Sequence, residues 1–125
     1  MIGYVTLGTN DLDRAIAFYD VLLATIGIQR LWQHGDMAAW GLSRTETALC
    51  LVRAFDGLKA SIGNGVMVAL KVDSAKKVDA FHARGIALGG KNEGDPGPRG
   101  ENGVYAGYLR DLDGNKLNAY VPAAG

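Results

Sequence analysis

The chain repeats itself, and that repeat limits its fold more than any single motif does. A shift of 63 residues lays Val5 on Val68, Leu7 on Leu70, Phe18 on Phe81 and Gly27 on Gly90. Under the same shift Arg14 meets Lys77, Ala17 meets Ala80, and Asn10 meets Asp73 as the helix-capping residue. Later in each half the spacing grows to 69, and Val52 meets Val121. Strand, cap, helix face and helix end all recur in order, so the chain reads as two β-α-β-β-β units.

Each unit is built from short, recognisable signals. Ile2 to Thr9 is a strand, because Ile, Val and Thr favour extended backbone. Asn10 caps a helix to about Thr25, with Leu12, Ala15, Ile16, Tyr19, Leu22, Leu23 and Ile26 at helical spacing and Gly27 as its stop. Ile28 to Gln33, Met37 to Leu42 and Ala48 to Arg53 are three further strands. Residues 54–64 form a glycine-containing linker between module one (1–53) and module two (65–122). Val66 to Val72 is a strand, Asp73-Ser74 a cap, and Ala75, Val78, Phe81, His82 and Ile86 a second helix face. Lys91 to Asn102 carries Gly94, Pro96, Gly97, Pro98 and Gly100, a composition that predicts an irregular, mobile loop. Val104 to Arg110 and Lys116 to Val121 close the chain as a hairpin around Asp113-Gly114-Asn115.

Composition narrows the function classes. Lys+Arg and Asp+Glu are both 13, so zero net charge gives no footprint for nucleic acid or an anionic membrane. No apolar run is long enough to span a bilayer, and Met1-Ile2-Gly3-Tyr4 lacks the basic start of a signal peptide. Cys50 is the single cysteine, which excludes an internal disulfide and fits a reducing cytoplasm.

Three stretches carry a resemblance. They are Asn10-Asp11-Leu12-x-Arg14-Ala15-x-x-Phe18-Tyr19, Gly63-Asn64-Gly65 before the second module, and Arg110-Asp111-x-Asp113-Gly114-Asn115 near the C-terminus. Together with the repeat they resemble the vicinal oxygen chelate superfamily, which contains the glyoxalases, bleomycin resistance proteins and extradiol dioxygenases. The resemblance covers nearly the whole chain. It implies an α+β fold in which two βαβββ modules form one curved mixed β-sheet, with the helices on its convex side and the site in its concavity. It also implies a homodimer whose cleft is shared between chains.

The family's metal positions fall, by that resemblance, on Tyr4, Leu49, Met67 and Asn118. Asn118 stands where the family commonly has Glu, and Tyr4 where it commonly has His. Phenol, leucine, thioether and amide do not hold a divalent transition metal well. The expectation is therefore no metal and no cofactor, with a divalent metal as the alternative. Tyr4, Trp40, Leu49, Leu51, Met67, Tyr105, Asn118 and Tyr120 are the expected walls of a ligand site, with Thr6 beside them. Aromatic walls with sparse polar groups suit an apolar or aromatic small molecule. Trp40 is the expected reporter of binding, although its repeat partner lies within one residue of Tyr108 and leaves its facing open. Arg99 and Arg110 are within reach of an anionic group.

The remaining reactive side chains have plainer readings. His82 is a packed or hydrogen-bonded helix residue, His34 an exposed turn residue, and Cys50 a buried thiol facing the helices. The function expected is a metal-free protein that binds or sequesters a small molecule. The alternative is a glyoxalase-type lyase, isomerase or dioxygenase, with acid–base work by Tyr4, His34 or Glu101. A third reading is a remnant that only dimerises.

Overall fold

A computed structural model describes residues 1–123. The order is β1 (Tyr4–Gly8), α1 (Leu12–Ala24), β2 (Gln29–His34), β3 (Met37–Gly41), β4 (Ala48–Val52), β5 (Val68–Lys71), α2 (Ala75–Ala87), β6 (Lys91–Arg99), β7 (Val104–Arg110) and β8 (Lys116–Val121). These are the two βαβββ modules of an α+β fold. The curved surface is made of two hydrogen-bonded halves, ordered β1-β4-β3-β2 and β5-β8-β7-β6. In each half the first strand runs parallel to the last, and the other pairs are antiparallel.

Both helices lie on one side, and one core joins the modules. Leu22 and Leu23 of α1, Val78 and Phe81 of α2, Leu51 of β4 and Leu109 and Leu117 of the second sheet are buried in it. Gly85 of α2 lets that helix pack closely on β7, with α1 beside it. A Cβ there would stand 2.8 Å from Leu109 and 3.4 Å from Leu22.

The α1 cap shifts by one residue from expectation, while the α2 cap falls within the expected Asp73-Ser74. Asp11, not Asn10, caps α1 by accepting from the Arg14 N–H at 3.1 Å, and Ser74 does the same for α2 with Lys77. Asn10 instead grips the linker, its Oδ1 accepting from the Ala60 N–H at 2.7 Å.

The larger correction concerns Lys91 to Asn102. Its first nine residues are strand β6, paired with β7 through two register shifts at Gly94. Proline removes one donor but does not forbid a strand whose outer side has no neighbour, and the bulges absorb the glycines. The Arg99 guanidinium donates to the carbonyls of Asp95, Gly97 and Pro98, which ties the strand's end back on itself.

Candidate ligand-binding site

Register and burial decide which residues face away from the helices. In the first sheet Val5, Leu7, Leu49, Leu51, Ala38 and Trp40 pack toward the helices. Tyr4, Thr6, Ala48, Cys50, Met37 and Ala39 therefore make the opposite, inner face. In the second sheet Leu109, Leu117 and Ala119 pack toward the helices, so Met67, Ala69, Tyr108, Asn118 and Tyr120 are on the inner face.

Four expected wall residues take those places: Tyr4, Met67, Asn118 and Tyr120. The other four are turned to the helix side. Trp40 is 1% exposed, its indole N–H donates to Asp20 Oδ1 on α1 at 2.9 Å, and its ring lies 5.7 Å from that of Tyr19. Leu49 and Leu51 belong to the core, and the Tyr105 hydroxyl donates to Asp79 of α2 at 2.7 Å. Cys50 is corrected in the opposite sense, from the helix side to the inner face.

One slip of register explains the reversals of Leu49, Leu51 and Cys50. Val5 pairs with Leu49 and Val68 with Leu117, so Leu49 is the counterpart of Leu117, and Cys50 that of Asn118. The spacing of 69 read from Val52 and Val121 is one residue too long here. In a strand one residue changes the face.

The corrected four positions are Tyr4, Cys50, Met67 and Asn118. Burial raises the Cys50 thiol, which favours the protonated form over the thiolate a metal needs. Asn118 is 4% exposed and its Oδ1 is enclosed without a hydrogen-bond partner. No group of three or more His, Cys, Asp or Glu side chains converges among the described residues. This donor set does not fit a divalent metal.

Two concavities border the inner faces. A cavity of about 300 Å³ is lined by Tyr4, Leu31, Trp32, Met37, Ala48 and Cys50, with Arg44 and Glu46 at its edge. The register shift between Arg30 and Trp32 places Leu31 and Trp32 on this side together. A wider cleft of about 1220 Å³ opens where β1 and β5 each end their sheet, and Tyr4, Leu42, Met67 and Lys71 border it. Trp40 and Leu49, although buried, also line it. Tyr4 borders both spaces and is 63% exposed. Sequence reasoning missed Leu31, Trp32 and Met37. Trp32 alternates correctly from His34, but only the bulge brings Leu31 beside it.

The two histidines have no place in either space. His82 is buried, its Nε2 within 3.0 Å of Asn92 Oδ1 and 3.1 Å of the Tyr108 carbonyl. His34 is the exposed last residue of β2.

The Asp-Gly-Asn turn proves to be a clamp rather than a chemical site. Asp111 is buried, and its Oδ1 accepts from the N–H groups of Asp113 and Asn115, each at 2.9 Å. Its Oδ2 accepts from Asn115 Nδ2 at 2.9 Å and from the Tyr19 hydroxyl at 2.5 Å. Asn115 Nδ2 also donates to the Gly8 carbonyl at 2.9 Å, and Asp113 accepts from the Asn10 N–H at 3.0 Å. Gly114 supplies the positive φ, +92°, that the turn requires. The motif thus joins α1 and β1 of module one to the last hairpin of module two.

Comparison with known proteins fits this architecture. The model of the Glyoxalase/Bleomycin resistance protein/Dioxygenase superfamily matches residues 1–119. The chain belongs to that superfamily. A glyoxalase/bleomycin resistance protein from Albidiferax ferrireducens T118 is 36% identical, with TM-score 0.90 over 98% of both chains. The fold is shared with lactoylglutathione lyase from Agrobacterium tumefaciens, 23% identical and TM-score 0.69 over 97% of this chain and 92% of that one. It is also shared with the fosfomycin resistance protein FosX from Listeria monocytogenes, 18% identical and TM-score 0.73 over 98% and 93%. No curated protein sequence matches the chain. Superfamily membership gives the fold, while activities on this fold differ with the site.

Proposed function

We propose that this protein binds a small apolar or aromatic molecule on its inner sheet faces, without a metal or other cofactor. The observation that carries the reading is the cavity beneath Tyr4, Trp32 and Met37, aromatic and apolar and bordered by one buried thiol. Its volume of about 300 Å³ suits a compound of one or two rings. Tyr4, Cys50, Met67 and Asn118 offer a phenol, a protonated thiol, a thioether and an amide, so binding rather than metal-assisted lyase or dioxygenase chemistry suits these residues. The wider cleft exceeds the usual size of a ligand pocket. Ile2, Leu42, Val66 and Met67 are exposed in and around it, and a second copy covering them in a homodimer would bury this surface. The lone thiol and the absence of any disulfide suit the reducing cytoplasm.

Fluorescence tests the binding reading. A panel of neutral planar compounds, 2-naphthol among them, is expected to quench Trp32 at micromolar concentration. Trp32→Phe abolishes that change, and Tyr4→Ala weakens binding about tenfold, equal to about 1.4 kcal/mol. Quenching that persists in Trp32→Phe places the ligand elsewhere and overturns the site. Metal analysis of protein purified without chelator tests the rest. Stoichiometric Zn, Fe, Mn or Ni that Cys50→Ala or Asn118→Ala removes defeats the metal-free reading. Sedimentation of a single, concentration-independent monomer defeats the homodimer.

A further inference from the structure

The apolar cavity of module one carries opposite charges on its rim. Its walls include Tyr4, Leu31, Trp32, Met37 and Cys50, and Arg44 and Glu46 line it with them. Both charged residues are exposed and lie two residues apart in the β3–β4 connection. Both also border the wider cleft, so they stand between the two spaces.

The turn that presents them is pinned. The Glu46 N–H donates to the Ser43 carbonyl at 3.4 Å, and the Thr47 hydroxyl donates to the Ile2 carbonyl at 2.8 Å. Arg44 Nη2 donates to the Leu31 carbonyl at 3.3 Å, which holds the guanidinium against the bulge of β2. That bond occupies one donor of the guanidinium and leaves its charge uncompensated. The other three arginines of module one each meet a carboxylate: Arg14 with Asp113, Arg30 with Asp20 and Arg53 with Asp36. Among the described residues Arg44 and Glu46 enter no ion pair, with each other or with a third group. A free cation and a free carboxylate therefore flank one aromatic cavity.

We propose that the ligand is an aromatic zwitterion of the α-amino acid type, with its ring in the cavity, its carboxylate at Arg44 and its ammonium at Glu46. This rests on the binding reading above and adds the ligand's charges to it. A cavity of about 300 Å³ takes a single ring system and leaves the charged end at the rim. The free guanidinium N–H groups match the two oxygens of a carboxylate, and the Glu46 oxygens accept from an ammonium. A simple acid or a simple amine satisfies one rim charge and brings a like charge toward the other.

The test is a nuclear magnetic resonance titration at neutral pH and constant ionic strength, read at the Trp32 indole N–H. The probes share one ring: L-phenylalanine, 3-phenylpropionate, phenethylamine and 2-phenylethanol. Phenylalanine is expected to bind about fivefold or more tighter than each of the others. Arg44→Gln weakens phenylalanine and 3-phenylpropionate about fivefold and leaves 2-phenylethanol unchanged. Glu46→Gln does the same to phenylalanine and phenethylamine. Glu46→Lys reverses the order and makes 3-phenylpropionate the tighter ligand, a gain that a damaged fold would not give. Phenylalanine binding no tighter than 2-phenylethanol overturns the proposal. So does phenylalanine binding unaltered in both glutamine variants, or 3-phenylpropionate binding as tightly as phenylalanine to the unaltered protein. Quenching of Trp32 by 2-naphthol separates the two failures. If it survives while the phenylalanine arm fails, the binding reading stands and only the charge assignment falls.

Discussion

Tyr19 and His82 occupy the same position in the two repeats, and they act over different distances. Tyr19, on α1, donates to Asp111 of the other module. His82, on α2, bonds Asn92 and the Tyr108 carbonyl of its own module. The reason lies in the turns. The β7–β8 turn carries Asp111, Asp113 and Asn115, whereas the corresponding β3–β4 connection reads Ser43-Arg44-Thr45-Glu46-Thr47 and offers no buried carboxylate. Repeated backbone therefore does not mean repeated function. One module supplies the clamp, and the other supplies an apolar inner face with a cavity.

The strongest way to break this asymmetry is at the clamp. Asp111→Ala takes the acceptor from the Tyr19 hydroxyl and from the Asp113 and Asn115 N–H groups, and is expected to cost roughly 4 kcal/mol of stability. Urea unfolding measures it, and a loss below about 1 kcal/mol would show that the modules are held by the apolar core instead. Trp40→Ala follows at roughly 3 kcal/mol, because a large ring packed on Tyr19 leaves a cavity. A near-neutral result would return Trp40 to the ligand side.

Tyr19→Phe removes one hydrogen bond to a charged group and should cost about 2 kcal/mol, against about 1 kcal/mol for His82→Gln. Equal costs would erase the contrast between the two helices. The pH dependence sharpens it. Burial first, and the charge of Asp111 second, raise the Tyr19 phenol well above its ordinary 10.0. The folded state favours the neutral phenol, so its contribution is complete below pH 10.0 and is lost as pH climbs above that toward the folded-state value. The stability gap between wild type and Tyr19→Phe should stay flat up to that point and narrow beyond it. A gap that narrows on acidification contradicts the assignment. The smallest effect belongs to Tyr4→Ala, expected within about 0.5 kcal/mol because the ring is largely exposed. A larger loss would mean that Tyr4 is structural and not a ligand wall.

The amino-acid sequence by itself determined the repeat, the order of the elements, the helix faces and the superfamily. Those rest on local patterns such as Leu12, Ala15, Ile16 and Tyr19 along α1, where one face must be buried wherever the helix lies. It also determined that no imidazole or carboxylate stands at Tyr4, Met67 or Asn118. The tertiary structure alone decided which way each strand residue points. Along a strand the period is two, so a one-residue error in aligning the repeats sent Leu49 and Leu51 to the wrong side and Cys50 with them. It alone decided that β6 is a strand, since Pro96 and Pro98 are compatible with a sheet only at an edge, and edge position is a property of the assembled sheet. It alone brought Tyr19 to Asp111 and Arg99 to Tyr108, because contacts between residues far apart in the chain are set by packing and leave no local pattern to read.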